Sequence, residues 1–318
     1  MKTIAITGAS GFIGVHLVRA LLRAGGYRIR ILSRSSQAEA RQAAFPADVE
    51  IFSGDINDPV SLARFLAPGC TVINLVYLRN ESEQRNLVAI GNLLAACKAG
   101  GITRLIHCST ADVAGRTPDR RVVESSPCRP RSAYATTKLK IEAAILAVDQ
   151  DSHEVAILRP TAVFGPGGQN LKKLAHAMVH GNRLTNDLRA CVFGRRHMNL
   201  VHVDNVVAAI MFLADRVNAL SKEVFIVSDD DALSNNFASV ERALMNGFGL
   251  QSSRLPRVLL PSWLLSLTLR LLGRSNVNPL CIYDSGKLRS IGFERPVPFD
   301  DGLSRYIAWY RSDCLEQP

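Results

Sequence analysis

The stretch Thr3-Ile4-Ala5-Ile6-Thr7-Gly8-Ala9-Ser10-Gly11-Phe12-Ile13-Gly14 decides the fold. Thr3 to Thr7 is a short apolar run of the kind a strand buried on both faces carries. Phe12 to Ala24 repeats apolar residues at helical spacing. Between them Gly8, Gly11 and Gly14 recur every third residue. A glycine turn that leaves a strand and opens a helix is the context a dinucleotide fingerprint requires. Glycine permits the tight turn and lets the backbone approach a pyrophosphate, which sits at the positive N-terminus of the helix. Gly8, Ser10, Gly11, Phe12, Ile13 and Gly14 are therefore candidate cofactor contacts.

Outward from this turn, short apolar runs alternate with helical patterns. Strands are expected at Tyr27 to Ser33, Val49 to Phe52, Thr71 to Val76, Arg104 to Cys108 and Glu154 to Leu158. Helices are expected at Arg85 to Ala99 and Ser132 to Val148. Such alternation implies right-handed βαβ units and a parallel sheet covered on both faces. After Pro160 the pattern changes: Gly165-Pro166-Gly167-Gly168 breaks the chain and a helical stretch follows from Asn170 to His180. Leu200 to Val203 and Val224 to Val227 return to strand, joined by a helical Asn205 to Leu213. The expected fold is α/β, a Rossmann-type doubly wound parallel sheet with a smaller, discontinuous C-terminal substrate domain. The nucleotide-binding part takes 1–165 plus about 200–228, and the substrate part 166–199 and 229–318.

Bulk composition narrows the class. With 318 residues, 47% hydrophobic and 21% charged, the chain is globular in balance. A net charge of +10 suits an anionic partner, but the basic residues are dispersed and lack interleaved aromatics, which argues against nucleic acid. Seven cysteines, an odd number with no CxxC pair, argue against a disulfide framework or zinc site and fit a reducing, cytoplasmic setting. The seven histidines form no convincing ligand set, so no metal is expected. Nothing at the N-terminus is laid out as a signal peptide, and no run is long enough to span a bilayer. The run Leu259 to Leu272 is apolar on nearly all sides, so it is either buried or against lipid. Packing over the substrate domain is the reading preferred to peripheral membrane contact.

Two further features bear on chemistry. Where a site for NAD places an acid after the second strand, this chain has Ser33-Arg34-Ser35-Ser36. Arg34 would attract a 2′-phosphate, which favours NADP over NAD. Tyr134-Ala135-Thr136-Thr137-Lys138 puts a phenol and an ammonium on one helix face. The ammonium is expected to favour the phenolate, readying Tyr134 to exchange a proton near neutral pH. Cys108-Ser109-Thr110 ends the fifth strand, where ligand-facing residues gather in a doubly wound sheet.

With these motifs the chain resembles the extended short-chain dehydrogenase/reductase superfamily, of the NAD(P)-dependent sugar epimerase/dehydratase type. The matches are TGASGFIG (7–14), Gly54-Asp55-Ile56, Asn86 with Asn92-Leu93-Leu94, STADVAG (109–115), YATTK (134–138), RPTAVFGPG (159–167) and HVDN (202–205). The resemblance implies Asp55 and Ile56 beside adenine, and Pro160 as a further cofactor contact. It implies Thr110 as the catalytic hydroxyl, Tyr134 as acid/base, and Lys138 as the residue that also holds the nicotinamide ribose. It also implies a homodimer built on the helices around 85–99 and 132–148.

Departures from the family pattern are informative. The Asp-Glu pair of family dehydratases is Ala111-Asp112 here, so dehydration is not expected; Asp112 stays as a second acid/base candidate or a turn cap. The usual VYG is Val113-Ala114-Gly115. Sugar-nucleotide members often carry Asn at the place of Ala162 and Arg at that of Met198. Arg195 and Arg196 are the substitutes for gripping a substrate pyrophosphate, with Asn170 and Lys172 or Lys173 nearby in sequence. The expected activity is reduction of a 4-keto nucleotide sugar or C4 epimerisation. Reduction of a hydrophobic ketone, as in steroid- and flavonoid-type relatives, is the rival enzyme. A non-enzymatic NADP sensor is disfavoured because Thr110, Tyr134 and Lys138 are all present.

Overall fold

The computed structural model describes residues 1–34, 45–149, 153–250, 261–271 and 277–315. The chain forms two compact units: Met1–Val113 with Ser132–Arg159 and Val207–Phe225, and Ala114–Arg131 with Pro160–Val206 and Ile226–Pro318. Sequence reading put 1–165 and about 200–228 in one body, whereas 114–131, 160–165, 200–206 and 226–228 group with the second unit.

The first unit is built on a sheet of β1 (Lys2–Thr7), β2 (Tyr27–Ser33), β3 (Val49–Ser53), β4 (Thr71–Asn74), β5 (Arg104–Cys108), β7 (Glu154–Pro160) and β10 (Glu223–Val227). The order is β10-β7-β5-β4-β1-β2-β3. From β3 to β7 every neighbouring pair is parallel, with Ile4 opposite Ile29 and Ile6 opposite Ile31. The order reverses between β1 and β4, which makes their C-terminal ends the place where a doubly wound sheet opens a crevice. Both faces are covered. Leu17, Val18 and Leu21 of the helix Phe12–Ala24 are buried. On the core of the other helices, Leu93 and Cys97 of Glu83–Ala99 and Ile141 and Ile145 of Ala133–Leu146 pack with Val72, Leu105 and Val155. Sequence reading missed the helix Pro59–Phe65, although its signals are local: Asp58 caps Val60 and Ser61 N–H, and Pro59 is the first helical residue. The β4 strand stops at Asn74, short of the expected Val76, because the Asn74 carboxamide turns back to accept from the Thr7 hydroxyl (2.8 Å) and Val76 N–H (3.1 Å).

The second unit holds two short parallel pairs, β8 (Ala162–Phe164) with β9 (Leu200–His202) and β6 (Arg121–Val122) with β11 (Ile282–Tyr283). Its core joins Phe164, Leu200, Val240, Leu244, Phe299, Leu303, Tyr306 and Tyr310. The HVDN stretch is a polar knot within this unit. Asn205 donates to Asp229 (3.0 Å) and to the Val297 carbonyl (2.9 Å), and Asp229 accepts from His202 N–H (2.9 Å). Neighbouring Asp230 accepts from Asn199, Asn235 and Tyr283 N–H at 2.7–3.0 Å, which ties β9 to β11. All seven cysteines are free thiols. No helix among the described residues is long and apolar enough to cross a membrane.

The first unit also contains a buried ion pair, Arg159 on β7 with Glu142 on Ala133–Leu146, joined by hydrogen bonds of 2.6–3.2 Å. Removing one partner of such a pair strands a charge. Glu142→Gln is expected to lower unfolding free energy by about 3 kcal/mol. Urea unfolding checks this, and a loss below about 1 kcal/mol contradicts it.

Candidate active site

The glycine turn lies at the point of strand reversal. Gly8 has φ +79°, a conformation side chains resist, and a Cβ there would lie 3.1 Å from Leu75, in the segment following β4. A Cβ on Gly14 would fall 2.4 Å from the Gly8 carbonyl oxygen, so only glycine lets this helix seat on the turn. Leu75 N–H donates to the Thr7 carbonyl (3.0 Å), holding the two crevice walls together. The helices starting at Pro59, Glu83 and Ala133 begin with side-chain caps from Asp58, Ser82 and Ser132. The helix at Phe12 has no side-chain cap and no acid in its first turn. Its leading N–H groups and positive dipole end therefore suit an anionic group, and the residues present fit a dinucleotide pyrophosphate.

The flanking candidates divide. Arg34 follows β2 directly and is exposed, with no carboxylate partner among the described residues; Ser35 and Ser36 lie outside the described residues. Asp55 follows β3 and accepts from Asn57 N–H (2.8 Å) and Asn57 Nδ2 (2.9 Å). The Ile56 side chain is buried in the core with Leu32 and Leu62, so a ligand can meet its backbone but not its side chain. Pro160 ends β7 and is buried.

Thr110, Tyr134 and Lys138 come together in the first unit. A side-chain hydrogen bond between Thr110 and Tyr134 favours the phenolate. Lys138 is 2% exposed and its Nζ donates to the Cys108 carbonyl (2.8 Å). Burial lowers the Lys138 pKa to about 8. Burial also pushes the Tyr134 phenol up to about 12, although 38% of the residue's surface is accessible. This differs from the expectation that Lys138 stabilises the phenolate: the ammonium is engaged by the Cys108 carbonyl, and desolvation outweighs the help from Thr110 and from the Arg79 charge. Tyr134 is thus held protonated. Asp112 lies in the turn Ala111–Ala114, where its N–H donates to Thr110 and its carboxylate accepts from the Ser132 hydroxyl (3.1 Å). Ser132 also caps the helix bearing Tyr134, so Asp112 anchors that helix to the end of β5.

Sequence reading missed the segment after β4. The Tyr77 ring meets the Tyr134 ring edge-on at 4.7 Å, and Lys138 Nζ lies 5.6 Å from the Tyr77 ring centre. Asn86 clamps the intervening Leu78 by accepting from its N–H (2.9 Å) and donating to its carbonyl (3.1 Å). Leu78 packs toward the core, and its two neighbours, Tyr77 and Arg79, both act on Tyr134. In the sequence Asn86 stands only as part of a family pattern; its clamp on a segment eight residues earlier has no local periodicity to betray it.

The substrate candidates Asn170, Arg195 and Arg196 belong to the second unit. Asn170 donates to the Val163 carbonyl (2.7 Å). Arg195 is exposed after the helix Arg183–Phe193, and the Arg196 backbone bonds Phe193 and Phe237. Ala162 and Met198 pack against the core of this unit.

A sequence model of the NAD dependent epimerase/dehydratase family matches residues 4–228. The chain belongs to this family. It is an NAD(P)-dependent enzyme of the extended short-chain dehydrogenase/reductase type with a small-molecule substrate. The family member is similar to a UDP-glucose 4-epimerase of Vibrio cholerae, 26% identical over 96% of this chain and 94% of that protein. It is also similar to a 2-alkyl-3-oxoalkanoate reductase of Stenotrophomonas maltophilia, 28% identical over 65% of this chain and 63% of the relative. In structure it matches a Bacillus cereus UDP-glucuronic acid 4-epimerase solved with NAD, with a TM-score of 0.72 at 19% identity, over 98% of this chain and 99% of that one.

The lysine of this family member is buried at a cost that depends on pH. Its folded pKa of about 8 lies below the ordinary 10.5, so between these values the unfolded chain binds more protons and stability rises with pH. Relative to Lys138→Met, the wild-type protein should gain on the order of 3 kcal/mol from pH 7.5 to 10.5. Urea unfolding of both proteins across this range checks it; parallel pH curves contradict it.

Proposed function

We propose that this protein is an NADPH-dependent reductase of a 4-keto sugar linked to a nucleotide, with Tyr134 as proton donor. The observation that carries the reading is the protonated Tyr134 phenol, hydrogen-bonded by Thr110 and set beside the buried Lys138. Epimerisation begins by taking a proton from an alcohol and so needs the phenolate, which burial of Tyr134 disfavours; the protonated phenol holds the proton that reduction requires. Arg34, exposed where an acid would select NAD, supports NADP.

Bound NADPH would supply the hydride. Tyr134 gives its proton to the carbonyl oxygen and Thr110 hydrogen-bonds the same oxygen, while Lys138, held by the Cys108 carbonyl, is the residue proposed to meet the nicotinamide ribose. Gly8, Ser10, Gly11, Phe12, Ile13 and Gly14 hold the pyrophosphate. The nucleotide-sugar class rests on family membership and on likeness to the UDP-glucose 4-epimerase. Arg195, Arg196 and Asn170 are the residues proposed to meet the substrate, and a homodimer is the proposed assembly.

A second reading, reduction of a hydrophobic ketone, is favoured by Ala162 and Met198. Both are apolar and only partly buried, packing against the core of the second unit. The similarity to the 2-alkyl-3-oxoalkanoate reductase points the same way.

Incubation with NADPH and either a 4-keto nucleotide sugar or a long-chain 3-oxoalkanoate, followed by absorbance of the reduced nicotinamide, separates the two. Consumption with the sugar alone is expected. Turnover of the alkanoate alone supports the second reading, and interconversion of C4 epimers without net consumption identifies an epimerase. Tyr134→Phe should reduce kcat at least about 100-fold with the NADPH Kd unchanged. Arg34→Ala should weaken NADPH about tenfold and leave NADH unaffected; equal losses for both exclude the 2′-phosphate contact.

A further inference from the structure

Large apolar side chains exposed on this protein are mostly scattered singly, as on any soluble surface. The helix Ser262–Leu271 is different. Trp263 is 69% exposed, Leu267 47% and Leu271 80%, while Leu265 and Leu269 are fully buried. At about 100° per residue, Trp263, Leu267, Arg270 and Leu271 fall within an arc of about 100°, and Leu265 and Leu269 lie on the far side. The sequence alone posed burial and lipid contact as alternatives for this run. The structure shows one buried face and one exposed face. Leu259, Leu260 and Leu272, which extend the run, lie outside the described residues.

Charge indicates what covers the outward face. Arg270 is exposed within the apolar stripe and pairs with no carboxylate among the described residues. From Leu250 to Tyr283 the sequence contains Arg254, Arg257, Arg270 and Arg274 and no Asp or Glu. The whole chain carries +10. A helix with Trp and Leu on one face, arginine at the edge and no acid is suited to the boundary between anionic headgroups and acyl chains. Trp sits well there because its ring is apolar and its N–H polar. A second protein copy fits less well. A stable interface takes about 800 Å² and about 20–30 residues from each partner, whereas this stripe offers four side chains on ten residues. The helix is also too short to span a bilayer, so it would lie in the interface plane.

We propose that the protein docks peripherally on anionic membranes through Trp263, Leu267 and Leu271, with Arg270 at lipid phosphates. The proposal is independent of which ketone the enzyme reduces, because no residue of the reacting site takes part.

Flotation of the full-length protein with vesicles tests it. Binding is expected to phosphatidylethanolamine vesicles containing phosphatidylglycerol, to fall severalfold in 0.5 M salt, and to be weak on phosphatidylcholine. The triple variant Trp263→Ser, Leu267→Ser, Leu271→Ser should lose at least about tenfold in partitioning and retain its NADPH affinity. Arg270→Glu, which leaves the apolar stripe intact, should lose severalfold and serves alone where the triple variant does not fold. Wild-type protein that stays in the aqueous fraction with phosphatidylglycerol vesicles overturns the proposal. So does equal flotation of wild type and Arg270→Glu, or a triple variant whose lipid-free mass by sedimentation equilibrium falls from dimer to monomer.

Discussion

The fit of the helix Phe12–Ala24 onto the end of β1 is the constraint on which the rest depends. Gly14 must lack a side chain for the helix to approach the Gly8 carbonyl, and Gly8 must take a positive φ and leave room for Leu75. These demands place the helix N-terminus at the reversal of strand order, with no carboxylate or hydroxyl of its own to cap it. The sheet beneath is braced laterally by Asn74, which joins Thr7 on β1 to His107 on β5 through contacts of 2.8 and 3.1 Å. Burial holds His107 far below its ordinary pKa, so this brace is neutral. The region is stiff where a phosphate would rest and charged only through the backbone dipoles that would receive it.

Desolvation sets the ionisation of Lys138 and Tyr134, the residues proposed to handle the proton. Lys138 is buried with its charge offset by the Cys108 carbonyl and the Tyr77 ring face, as well as by Glu142 one turn along. Cation–π contact and a carbonyl are weak compensation for lost water, which is why its pKa falls. Tyr134 is shifted the opposite way by the same burial, so both groups favour their neutral forms. Tyr77 and Arg79 reach this cluster only because Asn86 pins the Leu78 backbone between them. Ser132 and Asp112 perform the matching task for the helix that bears Tyr134.

In the second unit polar groups serve architecture first. Asn205 and Asp229 knot β9 to the Val297 backbone, and Asp230, whose pKa burial raises to about 7, gathers three donors from separate segments. Ala162 and Met198 sit where polar side chains were anticipated and add to the apolar core instead. Arg195, by contrast, is exposed at the surface of this unit.

The sequence by itself determined the parallel sheet, the glycine turn and the helix with Tyr134 and Lys138, because these are local: strand alternation, three glycines, and two residues four apart. The helix Pro59–Phe65, absent from the sequence expectation, also has local signals, the cap Asp58 and Pro59 as its first residue. Only the tertiary structure decided the ionisation of Tyr134 and Lys138, since spacing on a helix places two groups together without saying how much water reaches them. Only it revealed Tyr77 against Tyr134, a contact that depends on the Asn86 clamp and the adjacency of β4 and β5. It likewise divided an all-apolar run into a buried face and an exposed one at 262–271, because which side of a helix meets the core is set by what packs against it and not by its own composition.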